Sequence, residues 1–357
     1  MLTRDRRKTF MLIGVSRPSL PIIDMARAIG FEVVATDINP AAAGLQCGDH
    51  NYTVSARDVQ SLTRIALRHD VACVYSGTDI NFTVGVINKA LHLPGFPLVL
   101  GLASEYKTIF RQLAAQAHLP LTRAHVVRTK EEAARAYSEL GGRHAVLKAI
   151  DLSSSLGIRK IDSPQDLDAA FEECQGLSNE NEYILEEFVD GTCHDVNGLV
   201  IAGRFYRCGI VDRSFVRDSQ YFVQKEATCP TALDEHTQYQ LYDTMATFSD
   251  FLGIETSPVK ADFLYDGRQP YLLEFAPRFH GEMGFLHMIP GALGIGAMEA
   301  YLQYRYCGEL DPHLLVQSIV DTAVCSAETT SNLKSNYDVA KYTISFGRRQ
   351  DIEVSIR

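Results

Sequence analysis

The N-terminal third of the chain alternates between apolar runs of strand length and amphipathic runs of helix length. FMLIGV is a short apolar strand, SRPSLPIIDMARAIG reads as a loop and a helix closing at Gly30, and FEVVATD is a second strand. A helix around 58–68, the strand VACVYSG, a helix from Asn81 to Leu91 and the turn LPGFP continue the pattern. Residues 1 to about 102 therefore predict an open α/β domain with a parallel sheet. Asp37 ends the second strand where a dinucleotide-binding fold places its ribose ligand, but GVSRPS lacks the glycines of GxGxxG, so no NAD site is expected.

The middle of the chain predicts a helix over SEYKTIFRQLAAQAHLP, with Ser104 as N-cap and a stop at Leu119-Pro120, then a strand AHVV and a helix TKEEAARAYSELG. HAVLKAIDLSSSLGIRKI reads as a strand carrying Lys148, a Ser-rich loop with Gly157, and a second strand. A lysine beside a loop of exposed backbone N–H groups suits a phosphate cradle. An ordinary hairpin with a surface lysine fits those residues as well. SPQDLDAAFEEC predicts a helix capped by Ser163, and YILEEFVDG a strand ending in acids. Residues 195–229 alternate as further strands, mainly antiparallel, before a helix over 234–252. Later, PGALGIG reads as a turn into the helix AMEAYLQYRY, and VAKYTISFG as a strand of the tail.

The most informative stretch is VKADFLYDGRQPYLLEFAPR, residues 259–278. Val259, Ala261, Phe263 and Tyr265 alternate with Lys260, Asp262 and Leu264, and Tyr271, Leu273 and Phe275 alternate with Leu272 and Glu274. With DGRQP as a five-residue loop, Tyr265 faces Tyr271 and Asp262 falls opposite Glu274. Opposed carboxylates about 5 Å apart repel by about 3 kcal/mol at an effective dielectric near 20. A divalent cation reverses that sign, and Mg²⁺ prefers such hard oxygen ligands. A solvated hairpin with an acidic face is the plain alternative.

Composition changes little. A net charge of −10 and only one short basic run, RDRRK, speak against nucleic-acid binding, and that run reads as a frayed tail. No signal peptide or membrane-length apolar stretch is present. Cysteines at 47, 73, 174, 193, 208, 229, 307 and 325 form no CxxC pair, which predicts neither zinc nor a disulfide framework and fits a reducing cytoplasm.

The order LPGFP, ASEYKTIFRQLAAQAHLPLTRAHVV, AVLKAIDLSSSLGIRKI, YILEEFVDG and VKADFLYDGRQPYLLEFAPRFHGE resembles the ATP-grasp ligases. The resemblance is nearest to the branch of biotin carboxylase, carbamoyl-phosphate synthetase and the amino-acid (dipeptide) ligases, and it runs from the strand at 11 to about 308. It implies an α/β fold with a Rossmann-like pre-ATP-grasp domain over 1–102, a linker helix and small lobe over 103–185, and a large lobe with a mainly antiparallel sheet over 186–357.

It also implies roles. Lys107 and Lys148 resemble nucleotide-site lysines, Lys148 on the α- and β-phosphates, with Ser155 and Gly157 in the mobile phosphate loop. Glu186, with the backbone of Glu187, Phe188 and Val189, is similar to the hinge that reads adenine. Asp262 and Glu274 match the Mg²⁺ ligands, with Mn²⁺ as substitute, and Arg278 the arginine that holds a carboxylate or acyl phosphate. Tyr106 replaces the usual Asp before Lys107, Cys193 replaces a ribose-gripping glutamate with Asp195 or His194 as substitutes, and Ala276 replaces an asparagine. Asp262 is itself shorter than the family's glutamate.

The implied activity is ATP-dependent amide or peptide bond formation through an acyl phosphate, with Lys148 and Arg278 as catalytic groups. A bicarbonate-activating or purine-biosynthetic ligase, or a nucleotide-binding protein with a decayed site, are the alternatives. Implied partners are a small-molecule carboxylate and amine, with a homodimer left open. His280, Glu282, His287 and Met288 follow the metal strand and either line the acceptor pocket or are ordinary loop residues.

Overall fold

The computed structural model describes residues 7–216, 219–328, 334, 341–347 and 349–354, the last by backbone alone. Arg4 to Arg6 of the basic segment, and Val339 and Ala340 of the predicted tail strand, lie outside the described residues. The N-terminal part consists of β1 (Thr9–Ile13), α1 (Leu20–Ile29), β2 (Glu32–Asp37), β3 (His50–Thr53), α2 (Val59–Arg68), β4 (Val71–Ser76) and α3 (Asn81–Ala90). Its sheet is parallel, in the order β3-β2-β1-β4. Every residue of β1 is buried because helices cover both faces, hence the unbroken apolar run. β3 escaped the sequence reading because HNYT is polar and half exposed. Asp37 accepts from the N–H of Val15 and of Asn39, both at 2.9 Å, so it ties two loops together.

The helix expected from Ser104 is two helices, α4 (Leu98–Glu105) and α5 (Lys107–Gln116). Tyr106 between them is extended, at φ −123° and ψ 106°. Ser104 is therefore inside α4 and not a cap, and its hydroxyl donates to the Gly101 carbonyl at 2.8 Å. The break makes Lys107 the first residue of α5.

A second, antiparallel sheet joins β5 (Ala124–Val127), β6 (Ala145–Ala149), β7 (Ile158–Ile161) and β8 (Tyr183–Glu187) in the order β5-β8-β6-β7. α6 (Lys130–Glu139) and α7 (Pro164–Leu177) cover it over a core that includes Leu147, Phe171 and Leu185. Thr129 and Ser163 cap these helices by accepting from the N–H of Glu132 and Asp166.

The third sheet has eight antiparallel strands in the order β13-β12-β9-β10-β11-β14-β15-β16. These are β9 (Thr192–Ile201), β10 (Arg204–Phe215), β11 (Gln224–Cys229), β12 (Ser257–Tyr265), β13 (Pro270–Ala276), β14 (Ala323–Glu328), β15 (Lys341–Phe346) and β16 (Arg349–Val354). α8 (Glu235–Leu252) packs behind it, where Phe248, Phe263 and Phe275 share one core.

A π-helical turn (Met283–Met288) runs into α9 (Ile289–Leu293), so most of the expected PGALGIG turn is helix and only Gly294 to Gly296 turn the chain into α10 (Ala297–Cys307). α10 returns to the first domain, where buried Arg305 donates to the carbonyls of Pro94 at 2.6 Å and Ala72 at 2.7 Å. α10 thus packs into the core of the first domain, where Tyr301 and Leu302 share one cluster with Phe10 and Leu12. Among the described residues no single helix is long and apolar enough to cross a membrane. All eight cysteines are free thiols.

Candidate active site

β12 and β13 bring Asp262 opposite Glu274, as expected, but by another route. The loop has four residues, not five, because Pro270 is the first residue of β13 and pairs with Tyr265. A strand's first position tolerates proline. A register shift between Asp262 and Phe263 then absorbs one residue of β13 and restores the Asp262–Glu274 pairing. Asp195 of β9 pairs with Asp262 on the other side, so three acids form a row across the sheet.

That row is organised around cations of the protein itself. The Lys260 ammonium lies 3.2 Å from Asp262 Oδ1 and 2.7 Å from Glu274 Oε1. Arg213 reaches Asp195 Oδ1 at 2.6 Å through Nε and Asp262 Oδ2 at 3.2 Å through Nη2. His280 Nε2 is 3.0 Å from Asp195 Oδ2 and 3.4 Å from Asp262 Oδ1.

Burial opposes ionisation of Asp262, yet Lys260 and Arg213 hold its carboxyl well below the usual range. Burial likewise disfavours a charged His280, but Asp195 and Asp262 reverse that and raise its pKa. Lys260 is raised in the same way against its own burial by Asp262 and Glu274. Lys260 was legible in principle, since period two puts it on the face of Asp262. No sequence signal placed Arg213.

The register of Asp195 sets it beside Asp262, and its two oxygens face Arg213 and His280, so it belongs to the acidic row. His194, on the opposite face, pairs with Asp212 at 2.7 Å and Thr192 at 2.7 Å. Cys193 lines the cleft as a thiol whose pKa burial pushes up to about 11.

On the small sheet, Lys148 Nζ lies 2.7 Å from Glu186 Oε2, and Arg111 Nη1 3.1 Å from Glu186 Oε1. Glu186 is buried, which opposes its charge, but Lys148 and Arg111 hold its carboxyl below the usual value. The Glu186 side chain is thus the counter-ion of Lys148. At the expected adenine hinge, the N–H of Glu187 donates to Arg123 O at 2.9 Å and that of Phe188 to His144 O at 3.2 Å. These two amides are committed to the fold, and of the three the amide of Val189 alone makes no backbone bond among the described residues.

Lys107 Nζ donates to the Leu152 carbonyl, and burial lowers its pKa. The loop between β6 and β7 takes the left-handed region at Ser154 (φ 55°), Ser155 (φ 63°) and Gly157 (φ 66°). A Cβ on Gly157 would stand 2.8 Å from Leu152 Cδ1 and 3.0 Å from Ala149 Cβ. Glycine is favoured there by the backbone conformation and by the close approach of Leu152 and Ala149.

Arg278 grips Asp79, which no sequence feature marked, with Nε at 2.9 Å and Nη2 at 2.6 Å from one oxygen, Oδ1. Its Nη1 donates to Phe279 O at 2.9 Å. Its planar fork is thus engaged by an acid of the first domain. Burial opposes ionisation of Asp79, and Arg278, Lys260 and Lys107 overcome it.

Asp79, Lys107, Lys148, Glu186, Asp195, Arg213, Lys260, Asp262, Glu274, Arg278 and His280 line one cleft of about 1080 Å³, together with Ser155, Phe188, Val189, Glu282 and Met288, whereas Arg111 and His194 stand outside its wall. Ser155 lines it from the loop between β6 and β7 that also carries Gly157, while neither Gly157 nor His287 is in its wall. Asp262 and Glu274 present hard oxygens to one ammonium, a geometry that fits Mg²⁺ or Mn²⁺ when that ammonium yields. Asp195, Asp262 and His280 offer a neighbouring ligand set within 4.8 Å.

Residues 143–285 match the family model described as an ATP-grasp domain. No curated protein matches the sequence. The fold is similar to N5-carboxyaminoimidazole ribonucleotide synthetase in its ADP complex, with TM-score 0.76, 17% identity, and coverage of 90% of this chain and 82% of the other. It is similar to L-amino acid ligase from Bacillus licheniformis, with TM-score 0.75, 18% identity, and coverage of 91% and 82%. It is also similar to the biotin carboxylase domain of Hydrogenobacter thermophilus 2-oxoglutarate carboxylase with MgADP and bicarbonate, with TM-score 0.74, 16% identity, and coverage of 90% and 75%.

Proposed function

We propose, for a chain that belongs to the ATP-grasp superfamily, that it is an ADP-forming ligase joining a small carboxylate to an amine. The observation that carries the reading is the convergence of Lys107, Lys148, Arg213, Lys260 and Arg278 on one cleft that also holds the opposed Asp262 and Glu274. Five cations suit a triphosphate, and the two acids suit the ion that accompanies it.

In this reading Lys107, Lys148, Ser155 and Gly157 hold the phosphates and the Val189 amide meets the base. Asp262 and Glu274 hold Mg²⁺, which when bound neutralises charge on the phosphates. Lys148 leaves Glu186, and Lys260 makes room for the ion. Arg278 exchanges Asp79 for the substrate carboxylate and holds it in line with the γ-phosphorus. A carboxylate oxygen attacks that phosphorus and the bond to ADP breaks, giving an acyl phosphate. The amine nitrogen then attacks the acyl carbon, the carbon–oxygen bond to phosphate breaks, and the ammonium proton is lost to solvent. No side-chain nucleophile is needed. Domains divide, in this reading, as 1–102, 103–185 and 186–357.

The test is ADP release over pooled amino acids, other carboxylates and amines, with mass detection of the product. Release that requires both a carboxylate and an amine, with an amide product, supports the reading. Release driven by bicarbonate would select the carboxylating type instead. Nucleotide binding with no release under any acceptor would make the chain a nucleotide-binding protein and overturn the ligase.

A further inference from the structure

We infer that the cleft continues past Arg278 into a second-substrate subsite shaped for a primary amine that carries an apolar group. The subsite's role as acceptor site rests on the ligase reading, but its existence as a binding site does not.

Two acids flank Arg278. Asp79 meets it through Oδ1 alone, and among the described residues Asp79 Oδ2 takes no hydrogen bond. Glu282 lies four residues beyond Arg278, against the loop that carries Asp79: a Cβ on Gly77 would stand 2.6 Å from Glu282 Oε1. Gly77, Asp79, Arg278 and Glu282 all face the cleft. Asp79 Oδ2 thus leaves a carboxylate oxygen in this corner free to accept from an ammonium, with Glu282 beside it. The same corner would become more acidic still once Arg278 turned to a substrate carboxylate.

Beyond Glu282 the wall changes character. Val211, Ala227, Met283, Met288, Cys325 and Tyr342 line the cleft and pack in or against one hydrophobic cluster. Met283 Sδ lies 3.8 Å from Cys325 Sγ, which joins the π-helical turn to β14. These six residues sit on β10, β11, β14, β15 and the π-helical turn, and none is among the groups assigned to the nucleotide above. An uncharged wall of largely buried side chains, with Met283 the more exposed of them, beside an acidic corner matches a molecule with an ammonium at one end and hydrocarbon at the other. Two methionines give the wall soft, adjustable contacts, which suits a range of aliphatic or thioether groups more than one shape.

The experiment uses the full chain with ¹³C-methyl methionine, with and without MgADP, titrated with L-leucine, L-glutamate and L-lysine. Met283 and Met288 signals are assigned with Met283→Leu and Met288→Leu. Leucine is expected to shift both signals saturably, and glutamate and lysine to bind at least about tenfold more weakly, because each would bury a second charge against the apolar wall. Met283→Glu is expected to weaken leucine binding by about tenfold or more, while the thermal shift given by MgADP stays unchanged. No leucine-dependent shift, an equal response to glutamate, or unchanged leucine binding in Met283→Glu would each overturn the subsite. Leucine binding without any leucine-dependent ADP release would overturn the ligase reading and leave the subsite standing. ADP release with polar amines only, and silent methionine signals, would do the reverse.

Discussion

Asp262 and Glu274 face each other across β12 and β13 through a shared ammonium, that of Lys260, at 3.2 and 2.7 Å. Their mutual repulsion, about 3 kcal/mol at roughly 5 Å and a dielectric near 20, is already relieved inside the protein. The pair is a cation site whether or not a metal is present. A ligand that brings its own divalent ion has to compete with, and move, a lysine.

Removing Lys260 should therefore make the acids better metal ligands in the absence of nucleotide. Lys260→Met is expected to bind Mn²⁺ tighter by up to about 100-fold, the equivalent of the unrelieved repulsion. Electron paramagnetic resonance of free Mn²⁺ measures this directly. Unchanged or weaker binding would mean that the ammonium is a fixed part of the site.

Asp262→Asn and Glu274→Gln should each lower acceptor-dependent ADP release by at least about 100-fold, since each removes one of two hard ligands. Their stabilities should differ. Asp262 neutralises buried Lys260 and Arg213, so its loss should cost about 3 kcal/mol, whereas Glu274, at 30% exposure, should cost about 1 kcal/mol or less. Urea unfolding separates the two effects, and full activity in both variants would remove the metal assignment.

Glu186 predicts an acid limb to the stability curve. Its folded pKa lies below the ordinary 4.5, because Lys148 and Arg111 outweigh the opposing effect of burial. Its contribution is thus fully present above about pH 4.5 and is lost as pH falls through the lower folded value. Glu186→Gln should lose about 3 kcal/mol at pH 7, and its stability should change less than that of the unaltered protein between about pH 5 and 3. Parallel pH dependence in the two proteins would contradict the ion-pair account.

Gly157→Ala tests the proposal that the loop between β6 and β7 holds phosphates. At φ 66°, with Leu152 Cδ1 at 2.8 Å from the new Cβ, the substitution should cost about 1–2 kcal/mol locally. The expected result is faster proteolysis within 151–157 and a higher KM for ATP, with the global unfolding transition little changed. An unaltered KM would separate the loop from the nucleotide.

How much of this was legible in the chain depends on the range of the interaction. Strand and helix periods, the cap at Ser163, the left-handed stop at Gly30 and the opposition of Asp262 to Glu274 follow from neighbours a few residues apart. Even there, the opposition is correct through two offsetting errors: a loop one residue too long, and a register shift no periodicity reveals. The break at Tyr106 was hidden because the helix reading began at Ser104 and ran through it, which also left most of α4 unread.

Sequence alone determined the order of lobes, the strand that bears Lys148, the hairpin that bears the acids, and a likeness of both to one family. Tertiary structure decided what each charge meets. Arg278 and Asp79 stand 199 residues apart, Lys148 and Glu186 38, and Arg213 and Asp262 49, and nothing local marks any of these as partners. A buried charge must be paired, but the chain's own pattern does not say with what; three sheets folded onto one cleft do.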